Sequence, residues 1–162
     1  MFLAHGLILA VTAASCLAAP VTQILKPWEL TALGTFSPSG RPGSSPFSTL
    51  NATIVDSNSF LPSSANCSTQ WETSPPFGKT LPCHSNNSKA KWTFSLTSGT
   101  SGTENFTIAF NLVDTKSATS VKKFTGGDHF EVGTNLSGEC GGSGVCFWGL
   151  STSPYAIHQA EK

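Results

Sequence analysis

The chain has 162 residues with nine basic and nine acidic side chains, so its formal charge is zero. That balance excludes the basic footprint of a nucleic-acid binder and gives no attraction to an anionic membrane surface. Charged residues are only 11% of the chain, against roughly 25% in ordinary soluble domains. Ser, Thr and Asn supply the polarity instead, which suits an exported β protein because Thr packs well on a pleated surface.

Met1 to Ala18 reads as a signal peptide, with an apolar stretch from Leu7 to Ala14 and small residues at Cys16 and Ala18 before the cut. Its first residues lack Lys and Arg, so the terminal amine supplies the positive charge. The apolar stretch is too short to cross a bilayer, and no later segment reaches the roughly 18 apolar residues a membrane helix needs. The final Gln159-Ala160-Glu161-Lys162 is unlike a lipid-anchor signal tail. Removal of 18 of 162 residues leaves 144, enough for one secreted domain, residues 19–162, with its own core.

Within that domain, Trp28 to Leu33 opens with an alternating apolar face. Gly34 to Pro46, rich in Gly, Pro and Ser, is expected to be a loop. Phe47 to Asp56 alternates as a strand, with Leu50, Ala52 and Ile54 on one side and Asn51, Thr53 and Val55 on the other. Ser57 to Ser64 is expected to turn, Cys67 to Trp71 to form a short strand, and the proline-bearing Thr73 to Asn87 to lack regular structure. Trp92, Phe94 and Leu96, then Phe106, Ile108, Phe110 and Leu112, mark the two strands of a central hairpin joined through Ser98 to Thr103. Val121 to Phe124 reads as an edge strand, Gly126-Gly127 as a turn, and Phe130 with Val132 as a further alternating piece. Phe147 and Trp148 start a buried strand, Ser151 to Pro154 turns, and Tyr155 to Ile157 closes the domain. No window shows the 3.6-residue period of a capped helix. The fold class is therefore all-β: a single-domain antiparallel β-barrel or sandwich.

Cys16 leaves with the signal peptide, so Cys67, Cys83, Cys140 and Cys146 remain. Four cysteines in an exported chain imply two disulfides, with three connectivities open. The sequence-local pairing, Cys67 with Cys83 and Cys140 with Cys146, is favoured; in the chain-entropy model these loops contribute roughly 3 and roughly 2 kcal/mol. Asn51, Asn66, Asn86, Asn105 and Asn135 each begin an N-x-[ST] triplet and are glycosylation candidates.

The motifs that suggest chemistry have simpler readings. Gly141-Gly142-Ser143-Gly144 lacks the Lys and the following helix of a phosphate cradle, so its glycines serve a tight disulfide loop. Asp128, His129 and Glu131 form the densest group of titratable residues, but His129 and Glu131 flank Phe130 on a strand and both point to water. Glu29, Glu72, Asp114, Asp128 and Glu131 fall on separate turns and strands, so no pair of carboxylates for glycoside hydrolysis emerges. No catalytic, cofactor or metal site is expected. Trp92 and Trp148 read as core; Trp71, beside Glu72 and the proline-rich segment, is the one tryptophan placed for ligand contact.

Taken together, Trp28-Glu29-Leu30, Cys67-Ser68-Thr69-Gln70-Trp71, Cys83, Trp92-Thr93-Phe94 and the late Cys140/Cys146 pair resemble the Alt a 1-like (AA1-like) family of small secreted fungal proteins. The resemblance implies a compact β-barrel with two sequence-local disulfides and no catalytic centre. It implies an effector-like or allergen-like protein acting outside the cell on a host. This chain lacks the cysteine near the mature N-terminus that dimer-forming members carry, which favours a monomer or a non-covalent dimer. The expected partner is a host extracellular or defence protein, bound through Gly34 to Pro46, Thr73 to Asn87 or Ser98 to Thr103; the alternative is a cell-wall glycan, bound by a carbohydrate-binding module or structural wall glycoprotein.

Overall fold

A computed structural model describes residues 24–58, 62–117 and 120–162. The signal-peptide segment expected at Met1 to Ala18 lies outside the described residues. The elements are β1 (Trp28–Ser37), β2 (Ser48–Asp56), β3 (Ser63–Trp71), β4 (Leu81–Ser85), β5 (Ala90–Ser101) and β6 (Asn105–Ser117). They continue with β7 (Ser120–Glu131), β8 (Leu136–Cys140), β9 (Cys146–Leu150), β10 (Tyr155–Ile157) and β11 (Gln159–Glu161). The described residues contain no helix, as the period-2 patterning requires.

The strands form one curled antiparallel sheet in the order β11-β7-β6-β5-β4-β3-β2-β1-β9-β8, with β10 also on β1. Alternation puts the large apolar side chains on the inner, concave face. Trp28, Leu50, Ile54, Trp92, Phe94 and Phe110 are all within 2% of full burial. Trp28 and Trp92 meet edge to face with ring centroids 4.7 Å apart, joining the two halves of the sheet across the core.

The sheet closes through its C-terminal segment. Ile157 on β10 pairs with Trp28 on β1, and two residues later Gln159 on β11 pairs with Gly126 on β7. A methyl group at Gly126 would fall 2.5 Å from the His158 carbonyl oxygen and 3.1 Å from Cζ3 of Trp28. Gly126 and Gly127 are thus strand-interior glycines at a close backbone approach, not the turn expected of them. They lie inside β7, which also absorbs the short edge strand expected at Val121 to Phe124 and pairs with both β6 and β11.

Four other expectations are corrected. Gly34 to Ser37 is not loop but the second half of β1, because a bulge between Leu30 and Ala32 resets its register and lets β9 pair with it. Ser63 and Ser64 open β3 instead of ending a turn. Thr73 to Asn87 contains β4, which pairs with β3 through Cys83 to Ser85 and with β5 through Leu81 and Pro82. Pro82 is tolerated because it lies outside the β3 ladder, where its missing N–H breaks nothing. Ser98 to Ser101 extends β5, and the turn proper, Gly102 to Glu104, folds back over one end of the sheet. There Thr35 donates from Oγ1 to the Thr103 carbonyl at 2.7 Å, and a methyl group at Gly102 would fall 2.7 Å from Cζ2 of Trp71.

The disulfides are Cys67–Cys83 and Cys140–Cys146. The first ties β3 to β4, where the two halves of the sheet join through short ladders. The second closes the β8–β9 hairpin, whose turn is held by Gly141 N–H donating to the Val145 carbonyl at 2.8 Å.

Candidate functional site

The outer faces of the two halves differ, and the difference starts with which residues alternate outward. On β2 the outward residues are Thr49, Asn51 and Thr53; on β3 they are Asn66, Ser68 and Gln70. Register sets Asn51 beside Ser68, Thr53 beside Asn66 and Thr49 beside Gln70. On the other side of β2, Gly34 faces Asn51 and Phe36 faces Thr49. One strand further, Gly149 faces Gly34 and Phe147 faces Phe36. The result is an amide and hydroxyl array that runs, across a strip of bare backbone, into a pair of phenylalanines.

Three adjoining hollows follow this face. The largest, about 630 Å³, includes Ala32, Gly34, Thr53 and Asn66 in its lining. A second, about 300 Å³, is lined by Thr49, Ser68, Thr69 and Gln70. A third, about 400 Å³, reaches Phe36, Phe147 and Trp148. Asn51 lines all three, and none has a charged side chain in its wall. Their volumes lie in the range of ligand-holding clefts.

At the phenylalanine end, the Phe36 and Phe147 rings sit 5.1 Å apart and tilted. Phe147 is 59% exposed. This corrects the expectation of a buried strand after the disulfide loop: β9 lies at the rim, with Phe147 outward and Trp148 only half-buried, while Trp92 is core as expected. The Cys140–Cys146 loop lies against the β1–β2 connection, where Gly144 approaches Ser39. Phe47, 37% exposed, ends that connection, in phase with Thr49 and Asn51. Exposed aromatics and two tied-down loops therefore share one end of the molecule.

The other half of the sheet carries charge on both faces: Lys122, Asp128 and Glu161 at the margin of the inner face, His129 and Glu131 on the outer one. Lys122 pairs with Glu161 at 3.3 Å, and Lys162 donates to Asn111 Oδ1. Asp128 accepts from the Tyr155 hydroxyl at 2.7 Å and from the His129 N–H at 2.8 Å. This acceptor carboxylate, with burial second and an opposing contribution from Asn135, holds Tyr155 above the ordinary tyrosine value. His129 Nδ1 shares a 3.1 Å hydrogen bond with Thr107, and Glu131 accepts from Asn105 Nδ2 at 3.0 Å. His129 and Glu131 are exposed, as expected. Each member of the Asp128–His129–Glu131 group is engaged by a strand neighbour, and no group of three His, Cys, Asp or Glu among the described residues is arranged to hold a metal ion.

Trp71 is half-buried against the core, with its ring edge under Gly102. The five sequon asparagines separate by environment: Asn51, Asn66 and Asn86 are exposed, whereas Asn105 and Asn135 are half-buried. Sequence reasoning missed the Phe36–Phe147 pair because the two residues lie 111 positions apart and meet only through the β1–β9 register. The outward phase of Asn51 and Thr53 was the one part of this face readable beforehand.

No protein-family model, curated protein or solved structure matches the chain. What the fold defines is a class: an all-β half-barrel with two disulfides, a pairing of features suited to the oxidising conditions outside the cell.

Proposed function

We propose that this chain is a secreted, non-catalytic binding protein of the effector-like or allergen-like kind that its sequence resembles, and that it meets its partner at the Phe36–Phe147 end. The observation that carries this reading is Phe147. It is a large aromatic held 59% in water, immediately after a disulfide that fixes its strand. An aromatic side chain on a rigid mount loses little conformational freedom when a partner covers it, which is the property of an interface anchor. The loops beside it, from Pro38 to Phe47 and the disulfide-closed one from Cys140 to Cys146, give a partner shape to recognise. The fungal origin and the host protein as partner rest on the sequence resemblance.

The test is retention of host extracellular protein on the immobilised chain, compared with a Phe147→Ser variant. Loss of the retained protein with unchanged melting supports the reading; equal retention by both forms counts against it. A second reading, recognition of a cell-wall glycan, is favoured by the uncharged array beside an aromatic pair of which Phe147 is exposed, since sugars offer hydroxyl edges and apolar faces. Retention on chitin, glucan or cellulose that is lost with Phe147→Ser would support it.

A further inference from the structure

We propose that Asn51, Asn66 and Asn86 carry N-linked glycans, that Asn105 and Asn135 do not, and that the Asn51 sugar lies in the groove its own side chain lines. The proposal rests on the extracellular reading above, since only an exported chain meets the transfer machinery.

Transfer joins Nδ2 of asparagine to C1 of the first sugar of a lipid-pyrophosphate-linked oligosaccharide. The C1–O bond to pyrophosphate breaks, the pyrophosphate leaves with the bonding pair, and one Nδ2 proton is released. The finished fold must then tolerate a sugar on Nδ2, and the five sites differ in that atom. Asn51 is exposed, and none of its side-chain atoms is engaged by a described residue. Asn66 accepts on Oδ1 from Thr53 Oγ1 at 2.9 Å, and Asn86 accepts on Oδ1 from the Ser64 N–H at 2.8 Å. In both, Nδ2 donates to no described residue, and both residues are exposed.

Asn105 and Asn135 use Nδ2 internally. Asn105 donates it to Glu131 Oε1 at 3.0 Å. Asn135 donates it to the His129 carbonyl at 2.8 Å while its Oδ1 accepts from the Glu131 N–H at 2.9 Å. That second pair ties the connection between β7 and β8 at both amide atoms, so a sugar there would strain a turn the fold depends on.

The three free amides share one region. Asn51 and Asn66 lie on adjacent strands, with Asn66 opposite the Thr53 of the Asn51 triplet. Asn86 follows β4, and its N–H donates to the Ser64 carbonyl at the start of β3. Because residues two apart on a strand share a face, Asn51 and Thr53 point outward together, as do Asn66 and Ser68. A sugar on Asn51 starts above Gly34, where a side chain is lacking, with Thr49, Ser68 and Gln70 to one side and Phe36 to the other. The hydroxyls and amides suit its edges and the ring suits its face. The occupant of the neutral groove is then the chain's own glycan, and partner contact is confined to the Phe147 end.

The full chain, secreted from a yeast host, is treated with a peptide-N-glycosidase in heavy-oxygen water and mapped by mass spectrometry. The expected labels are at Asn51, Asn66 and Asn86 alone. A label at Asn105 or Asn135, or a bare Asn51, Asn66 or Asn86 in secreted protein, overturns the assignment. A chain kept inside the cell without sugars overturns the extracellular reading and the proposal with it. Release from native protein should be at least about tenfold slower at Asn51 than at Asn86, the ratio a modest seat would impose, and should equalise on unfolding or in Phe36→Ser. Equal native rates at the two sites overturn the seat while leaving the assignment standing.

Discussion

The two halves of the sheet share an inner face and have opposite outer ones. Strands β1, β2, β3 and β9 turn outward a groove without charge, edged by the Phe36–Phe147 pair. Strand β7 turns outward His129 and Glu131, held in hydrogen bonds, while Lys122 and Glu161 pair on the inner side, in phase with Phe124. In the second region, polar side chains satisfy one another; in the first, several hydroxyls and amides stay available. A surface whose polar groups are already paired has little to offer a partner, so recognition belongs beside the neutral groove, at its Phe147 end. The charged half stabilises its own edge.

The comparison can be broken hardest at the seam where the halves close. Gly126→Val forces a side chain into the His158 backbone and Trp28, so it should cost about 3 kcal/mol or more, read as a fall in the urea midpoint. Both halves should loosen together. At the opposite join, replacing Cys67 and Cys83 by Ser should cost roughly 3 kcal/mol, and the same change at Cys140 and Cys146 roughly 2 kcal/mol in the chain-entropy model. If the smaller hairpin loop proves the costlier one to open, the assigned mechanical roles of the two bridges are reversed.

The charged half can be read through its tyrosine. Tyr155 is the only tyrosine in the chain, so tyrosinate absorbance reports it alone. Its midpoint should lie above the ordinary value of about 10 in the folded protein, since the Asp128 carboxylate accepts from its hydroxyl. Because the folded value is the higher one, the associated stability is present below the unfolded value and lost as pH rises through the folded value. Asp128→Asn should bring the midpoint down. A titration that ignores this substitution would dissolve the Tyr155–Asp128 link. The smallest effect is expected on the uncharged half: Phe147→Ser should change stability by less than about 0.5 kcal/mol while altering partner retention. A large loss of stability there would make Phe147 a packing residue and remove it from the interface.

Alternation at Leu50–Ala52–Ile54 and at Trp92–Phe94–Leu96 was enough to read strands and to sort inner from outer residues, because side-chain direction on a strand is a local, two-residue property. The same rule placed Asn51 in solvent and His129 and Glu131 on the outside. Where the reading broke strands too early, glycine and proline were mostly responsible. Gly34, Pro82, Gly99 and Gly126 look like breaks along the chain, yet each lies inside a strand. Gly126 sits at a close crossing and Pro82 off the ladder that would need its N–H. Those reasons exist only once a second segment is in place.

By itself, then, the sequence determined the all-β class, the inner apolar face and the favoured disulfide pairing, all of which follow from periodicity, composition and loop length. The tertiary structure alone decided that β10 and β11 close the sheet across Gly126, and that the Asn135 amide is tied inward while Asn51 stands in a groove. It also decided that Phe147, which follows the disulfide loop, faces water beside Phe36. These are matters of register between segments far apart in the chain, and local physics carries no record of which distant strand will lie alongside.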